Sequence, residues 1–264
     1  MKKIVTYTIV LTAAVSMAYV HNAFSQSVIN PAGDFHSFRK SEQDKFVRFA
    51  TMKQADDPEK VARQREFDVT YYGLDITVDP VTETIDGIVH ITARSEIDSL
   101  FSVVLDLDTN LTVSGVSGSN IVSYNHDNNL LTIYFTVGYN LGQTFDMDVN
   151  YSGKPQSPGF GSFAFGKREG SNEPLIWTLS EPFYARTWWP CKDLPEDKAD
   201  SAGIAVTVPE NLTAVSNGLL TNIRNNGDGT RTFFWHEKYP ITTYLISLAV
   251  SEYEYTVDYF RYSP

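Results

Sequence analysis

The chain is poor in cysteine, poor in positive charge, and without a complete nucleophile or metal-binding motif. A single cysteine, Cys191, among 264 residues leaves no partner for an intrachain disulfide. A lone cysteine is more often a small buried hydrophobe than a reactive thiol. With 21 Lys and Arg against 32 Asp and Glu the formal net charge is −11, and no basic stripe interrupts the acidic surface. That balance excludes a nucleic-acid partner and favours solubility. Internal repeats and low-complexity tracts are also missing.

The same shortage holds for catalytic signatures. Of the five histidines, His21, His36, His90, His126 and His236, only His236-Glu237 begins like the H-E-x-x-H zinc helix. Pro240 stands where the second ligand belongs, and the segment alternates as a strand, so the side chains cannot share a helical face. Gly159-Phe160-Gly161-Ser162 lacks the strand and helix that flank a serine nucleophile. A calcium loop wants acidic ligands at alternating positions, and around Asn225–Gly229 only Asp228 qualifies. Paired carboxylates for glycoside hydrolysis stay open as an alternative, because 32 acids offer too many combinations to select one.

The amino terminus reads as a secretory signal. Lys2 and Lys3 precede the mostly apolar stretch Ile4 to Val20, and Ala23-Phe24-Ser25 offers small residues for cleavage before Gln26. Polar Tyr7, Thr8, Thr12 and Ser16 argue against a membrane anchor. No cysteine follows to carry a lipid, so the expectation is an exported protein, periplasmic or extracellular, with no membrane anchor after cleavage. Loss of residues 1–25 removes two lysines and takes the charge from −11 to −13. Residues 26–65 form a leader and a short helical arm, in which Phe46, Phe49 and Met52 recur at helical spacing over 41–63.

From Glu66 the period changes to two. Tyr72, Leu74, Ile76 and Val78 share one strand face, and Asp79-Pro80 ends the strand. A turn at Asp86-Gly87 is expected before Val89, Ile91 and Ala93. The runs Val103/Leu105/Leu107, Leu131/Ile133/Phe135/Val137 and Phe145/Met147/Val149/Tyr151 follow. Gly153–Gly170 reads as loop. Beyond it come Ile204/Val206/Val208, a hairpin at Asp228-Gly229, Phe233/Trp235 and Tyr244/Ile246/Leu248/Val250. These spacings predict an all-β fold, an antiparallel β-sandwich of two or more packed sheets, over residues 66–256.

One stretch, Trp177 to Ala199, is denser in chemistry than ordinary sandwich sequence. It carries several bulky aromatics, prolines, the cysteine and alternating charges, and predicts a structured loop of the kind where binding groups concentrate. It resembles the amino-terminal domain of the aminopeptidase N family of zinc metallopeptidases, whose pattern is T-Q-x-E-x-x-x-A-R-x-x-x-P-C-x-D-E-P followed by K-A. Thr178, Glu181, Ala185, Arg186, Pro190, Cys191, Asp193, Pro195, Lys198 and Ala199 fall on it in register. Leu179 and Leu194 depart from it, replacing the usual glutamine and glutamate. The flanking segments "VLDLDTNLTV", "NLTAVSNGL" and "YPITTYLISLAV" also look like strands of that family, so the resemblance covers about residues 66 to 256.

The resemblance implies that Glu181 receives the free amine of a peptide, a carboxylate facing an ammonium. A surface pairing of Glu181 with Arg186 or Lys192 is the competing reading. It implies that Arg186, Pro190, Cys191, Asp193 and Lys198 scaffold the loop, and leaves Trp188 and Trp189 either lining a cleft or filling space. It also implies a catalytic domain after residues 257–264, with a G-A-M-E-N strand and an H-E-x-x-H zinc site. Neither motif occurs in these 264 residues. The expectation is therefore a substrate-recognition domain, inactive alone, with no cofactor of its own and zinc in the missing domain. Its partners would be peptide N-termini and that catalytic domain. A free-standing exported sandwich that binds peptide or glycan is the alternative.

Overall fold

A computed structural model describes residues 57–157 and 162–254, nearly all within the compact unit Asp56–Glu252. The signal segment, the leader, most of the helical arm and the link at 257–264 lie outside the described residues. The end of the arm is helix α1, Pro58–Gln64. Its start obeys capping rules: the Asp57 carboxylate accepts from the Glu59 amide at 3.0 Å, and Pro58 takes the first turn, where no donor is needed. Lys60 and Gln64, one helical turn apart, are the residues that α1 buries.

Strands follow in the order β1 (Phe67–Asp79), β2 (Thr84–Ser95), β3 (Leu100–Asp106), β4 (Leu111–Gly118), β5 (Ile121–Asp127), β6 (Leu130–Tyr139), β7 (Thr144–Gly153) and β8 (Ser162–Lys167). The second half holds β9 (Pro174–Leu179), β10 (Lys198–Ala199), β11 (Ser201–Pro209), β12 (Thr213–Ser216), β13 (Leu219–Asn225), β14 (Thr230–Glu237), β15 (Ile241–Thr242) and β16 (Leu248–Ser251). A seven-stranded sheet runs β13-β14-β11-β1-β2-β7-β4. Beside it are a four-stranded sheet, β12-β16-β9-β8, a three-stranded sheet, β3-β6-β5, and the short pair β10-β15. The inward residues of these sheets merge into one apolar core. Tyr72, Leu74, Ile76 and Val78 are all buried in it, as their period-two spacing requires.

The all-β fold agrees with the sequence reading, with five differences of detail, the first being that Tyr244, expected on the last strand, lies in a 3₁₀ turn, Thr243–Leu245, before β16. The ladder between β1 and β11 is parallel, Tyr71 facing Ser201, so the largest sheet is mixed. The turn after β1 lies at Pro80–Glu83, and Asp86 and Gly87 continue β2 in register with Thr77 and Ile76. The stretch expected as loop, 153–170, contains β8, paired with β9 and burying Phe163. "VLDLDTNLTV" is two strands: β3 ends at Asp106, a turn closes from the Leu111 amide to the Asp108 carbonyl at 3.0 Å, and β4 starts in a different sheet.

Gly87 has a packing reason to be where it is. A Cβ there would sit 2.8 Å from the ring of Tyr151, which lies across it from β7. The ring fills the space a side chain would use, and supplies apolar contact the glycine lacks. Gly87→Val should therefore destabilise the domain by about 1–3 kcal/mol through overpacking. In urea unfolding, adding Tyr151→Leu should cost less on that background than on the wild type.

Candidate functional site

The stretch 177–199 is pinned at both ends. At the entry, β9 pairs with β16, and the Thr178 hydroxyl oxygen accepts from the Leu248 amide at 2.9 Å. The Ser180 hydroxyl accepts from Trp188 Nε1 at 2.9 Å, and the Ser180 carbonyl from the Tyr184 amide at 2.9 Å. A 3₁₀ turn, Ala185–Thr187, then leads into Trp188 and Trp189. Both rings are fully buried, Trp189 edge-on to Tyr72 at 4.8 Å between centroids. They fill the core and line no cleft. At the exit, β10 pairs with β15.

The centre of the loop is held by one buried carboxylate that the sequence reading did not single out. Asp106, fully buried at the end of β3, accepts at Oδ1 from Lys60 Nζ at 3.0 Å. Its Oδ2 accepts from Gln64 Nε2 at 2.7 Å and from the Asp193 amide at 3.1 Å. Arg186 Nη1 lies 3.6 Å from Oδ1, and Arg186 Nε 3.9 Å from Asp108. The backbone completes the clamp. The Asp106 and Cys191 main chains exchange both hydrogen bonds, at 2.7 and 3.1 Å, and the Asp108 amide donates to the Arg186 carbonyl at 3.0 Å. A buried carboxylate is tolerable only with this kind of multiple donation.

The expected site residues divide by environment. Pro190, Cys191 and Asp193 are buried and Arg186 half-buried. Burial, with Asp193 and Asp106 near, pushes the Cys191 thiol well above its ordinary range, so it stays protonated and inert. Lys198 differs: its side chain is exposed, and its contribution is the backbone pairing of β10 with Thr242. Glu181 is exposed in the turn just after Ser180. Its competing partners are both committed elsewhere. Arg186 faces Asp106 and Asp108, while Lys192, almost fully buried, pairs with Asp197 at 3.0 Å and donates to the Phe67 carbonyl. No ion pair or hydrogen bond engages the Glu181 side chain among the described residues.

His236 and Glu237 are consecutive residues of β14 and so face opposite ways. His126 Nε2 is 2.9 Å from the Leu107 carbonyl, and His90 Nδ1 is 2.7 Å from Asp148 on the exposed sheet face. Among the described residues, no group of three or more His, Cys, Asp or Glu converges on a point where an ion could sit.

Asp193 gives the loop a pH signature. Burial, then the charge of Asp106, raises its carboxyl to about 7, against the opposing pull of Arg186, the Arg186 amide and the Thr243 hydroxyl. The unfolded chain releases this proton near pH 4, while the folded chain keeps it to about 7. Stability from this group is therefore full below pH 4 and falls as pH rises towards 7. Asp193→Asn should remove that slope. The gap between variant and wild type in urea unfolding should shift in the variant's favour by roughly 2–4 kcal/mol between pH 4.5 and 7.5.

The domain as a whole has counterparts in known proteins. The model of the Peptidase M1 N-terminal domain matches residues 68–245. The M1 zinc metallopeptidase of Deinococcus radiodurans superposes with a TM-score of 0.61 at 26% identity, covering 70% of this chain and 42% of that enzyme. A mutant of that enzyme bound to a Tyr-Ser-Ala substrate gives 0.62 at 28% identity, covering 71% and 43%. Leukotriene A-4 hydrolase of Xenopus laevis is 24% identical over 206 residues, 75% of this chain and 34% of its own length. Leucine aminopeptidase 2 of Vanderwaltozyma polyspora is 33% identical over 85 residues, 32% and 12% respectively. The chain thus spans about a third or less of these two curated relatives and under half of the solved enzyme. By the match over 68–245, the chain belongs to the M1 family of zinc aminopeptidases, of which this sandwich is the N-terminal domain.

Proposed function

We propose that these residues form the substrate-recognition domain of an exported zinc aminopeptidase, with Glu181 receiving the free ammonium group of a peptide. The observation that carries the reading is an exposed carboxylate without a protein partner among the described residues, on a loop whose two competing cations, Arg186 and Lys192, are committed elsewhere. Such a group can give a full charge-assisted hydrogen bond to a ligand at little cost in broken contacts. An ammonium ruler of this kind measures where a peptide begins and so makes the reaction exopeptidic. Cleavage belongs to the zinc-bearing domain of the M1 enzyme, with peptide N-termini and that domain as the partners of this one. The chain alone recognises and does not hydrolyse. The Lys2-Lys3 start, the apolar run and the Ala23-Phe24-Ser25 boundary support export to the periplasm or beyond.

In the complete enzyme carrying this domain, Glu181→Ala should lower kcat/KM for a free-amine dipeptide by roughly 10- to 100-fold. That is the usual worth of a hydrogen bond to a charged group. Glu181→Gln should lie between that variant and the wild type, and an N-acetylated substrate should be refused by all three. An unchanged kcat/KM in the alanine variant would remove Glu181 from the amine site.

A further inference from the structure

Glu181 lies between two anchors, and the second is not local. On the amino side Ser180 is held by Trp188 and Tyr184. On the carboxyl side the 3₁₀ turn is held through Arg186, whose guanidinium leans towards Asp106 and Asp108 at 3.6 and 3.9 Å. Asp106 in turn is shared with α1: Lys60 Nζ lies at 3.0 Å and Gln64 Nε2 at 2.7 Å, with the Lys60 side chain 6% exposed and that of Asp106 0%. The helix that supplies these groups is 46 residues away in sequence from Asp106 and still further from the loop.

We infer that α1 is a strap that positions the recognition loop, with Lys60 and Gln64 acting on Glu181 through Asp106 and Arg186. The reasoning is charge balance in a dry site. Lys60 gives Asp106 its nearest cation at 3.0 Å, and Arg186 stands second, 3.6 Å from Asp106 and 3.9 Å from Asp108. Neutralise Lys60, and Asp106 remains a buried carboxylate that must recover a counter-charge. Arg186 is the nearest other cation and its side chain is 34% exposed, so it can move inward. Such a shift strains the contacts that hold its backbone, from the Arg186 amide to Asp193 and from the Asp108 amide to the Arg186 carbonyl. The 3₁₀ turn that begins four residues after Glu181 is then displaced. Binding sites lose much of their effect with displacements near an ångström.

This inference rests on the amine-binding role of Glu181, and the test separates the two. Lys60→Met, Lys60→Arg and Glu181→Ala are made singly, and Lys60→Met with Glu181→Ala together, in the complete enzyme. Lys60→Met should raise KM for a free-amine dipeptide by roughly ten-fold with kcat changed less than two-fold. Lys60→Arg, which keeps the charge, should recover most of the loss. The double variant should be no worse than Glu181→Ala alone, because the strap acts through that carboxylate. In the 264-residue chain, hydrogen exchange at the Tyr184, Thr187 and Cys191 amides should quicken in Lys60→Met and slow again in Lys60→Arg. If Lys60→Met lowers the melting temperature but leaves KM alone while Glu181→Ala raises it, α1 is structural only and the strap is overturned. If Glu181→Ala itself leaves KM unchanged, the amine-site reading fails first, and quickened exchange at those amides is then what the positioning of the loop stands or falls on.

Discussion

The organisation of the domain around its candidate site depends on making Asp106 tolerable in the core. Its carboxylate has no measurable exposure, and an unpaired charge there would cost several kcal/mol. The cost is offset by groups from two separate pieces of chain: a lysine and a glutamine from α1, and a main-chain amide and a nearby guanidinium from the loop, whose Cys191 backbone also pairs with that of Asp106. Satisfying one group therefore locates two segments relative to β3. Hydrophobic burial supplies the bulk of the driving force, but it is non-directional and would accept several placements of the loop. The carboxylate accepts few. That division of labour lets a loop rich in aromatic surface present one polar group outward in a fixed place.

The same arrangement accounts for the choice of residues along the loop. Trp188 and Trp189 are buried in the core and anchor the carboxyl end of the turn before them. Lys192 spends its charge on Asp197 and lies over the Phe67 ring, with Nζ 4.8 Å from its centroid. With Arg186 and Lys192 held inward, the negative charge of Glu181 is left to solvent. A surface lysine close by would collapse onto that carboxylate and hide it. Leu194, which stands where relatives of the motif carry an acid, is buried at 4% exposure. It removes a carboxylate from a neighbourhood where Asp106 and Asp193 already repel one another.

Much of this was legible from the sequence, because strands announce themselves locally. The alternation through Tyr72, Leu74, Ile76 and Val78, or Phe145, Met147, Val149 and Tyr151, needs no knowledge of the partner strand. Parallel pairing of β1 with β11 does, and nothing in either segment specifies it. Gly87 misled by looking like a turn residue, when its smallness serves Tyr151 from another strand. β8 was hidden by the glycines and prolines around it. Asp106 was hardest to see, since an aspartate in an apolar run reads as the end of a strand. Only the meeting of Lys60, Gln64 and Asp193 reveals it as a centre, and those contacts span 42 to 87 residues.

The parallel ladder carries a consequence for the order in which the chain can fold. β1 lies in the middle of the largest sheet, yet one of its two neighbours, β11, begins with Ser201 opposite Tyr71, some 130 positions later. During synthesis or passage across a membrane, β1 and β2 can pair as soon as they emerge, but the other edge of β1 stays open until β11 arrives. That edge carries Leu74, Ile76 and Val78, all destined for burial, and an open apolar edge is a template for association with other chains. High sequence separation also slows closure. A domain built this way gains from being kept unfolded until most of its length is available.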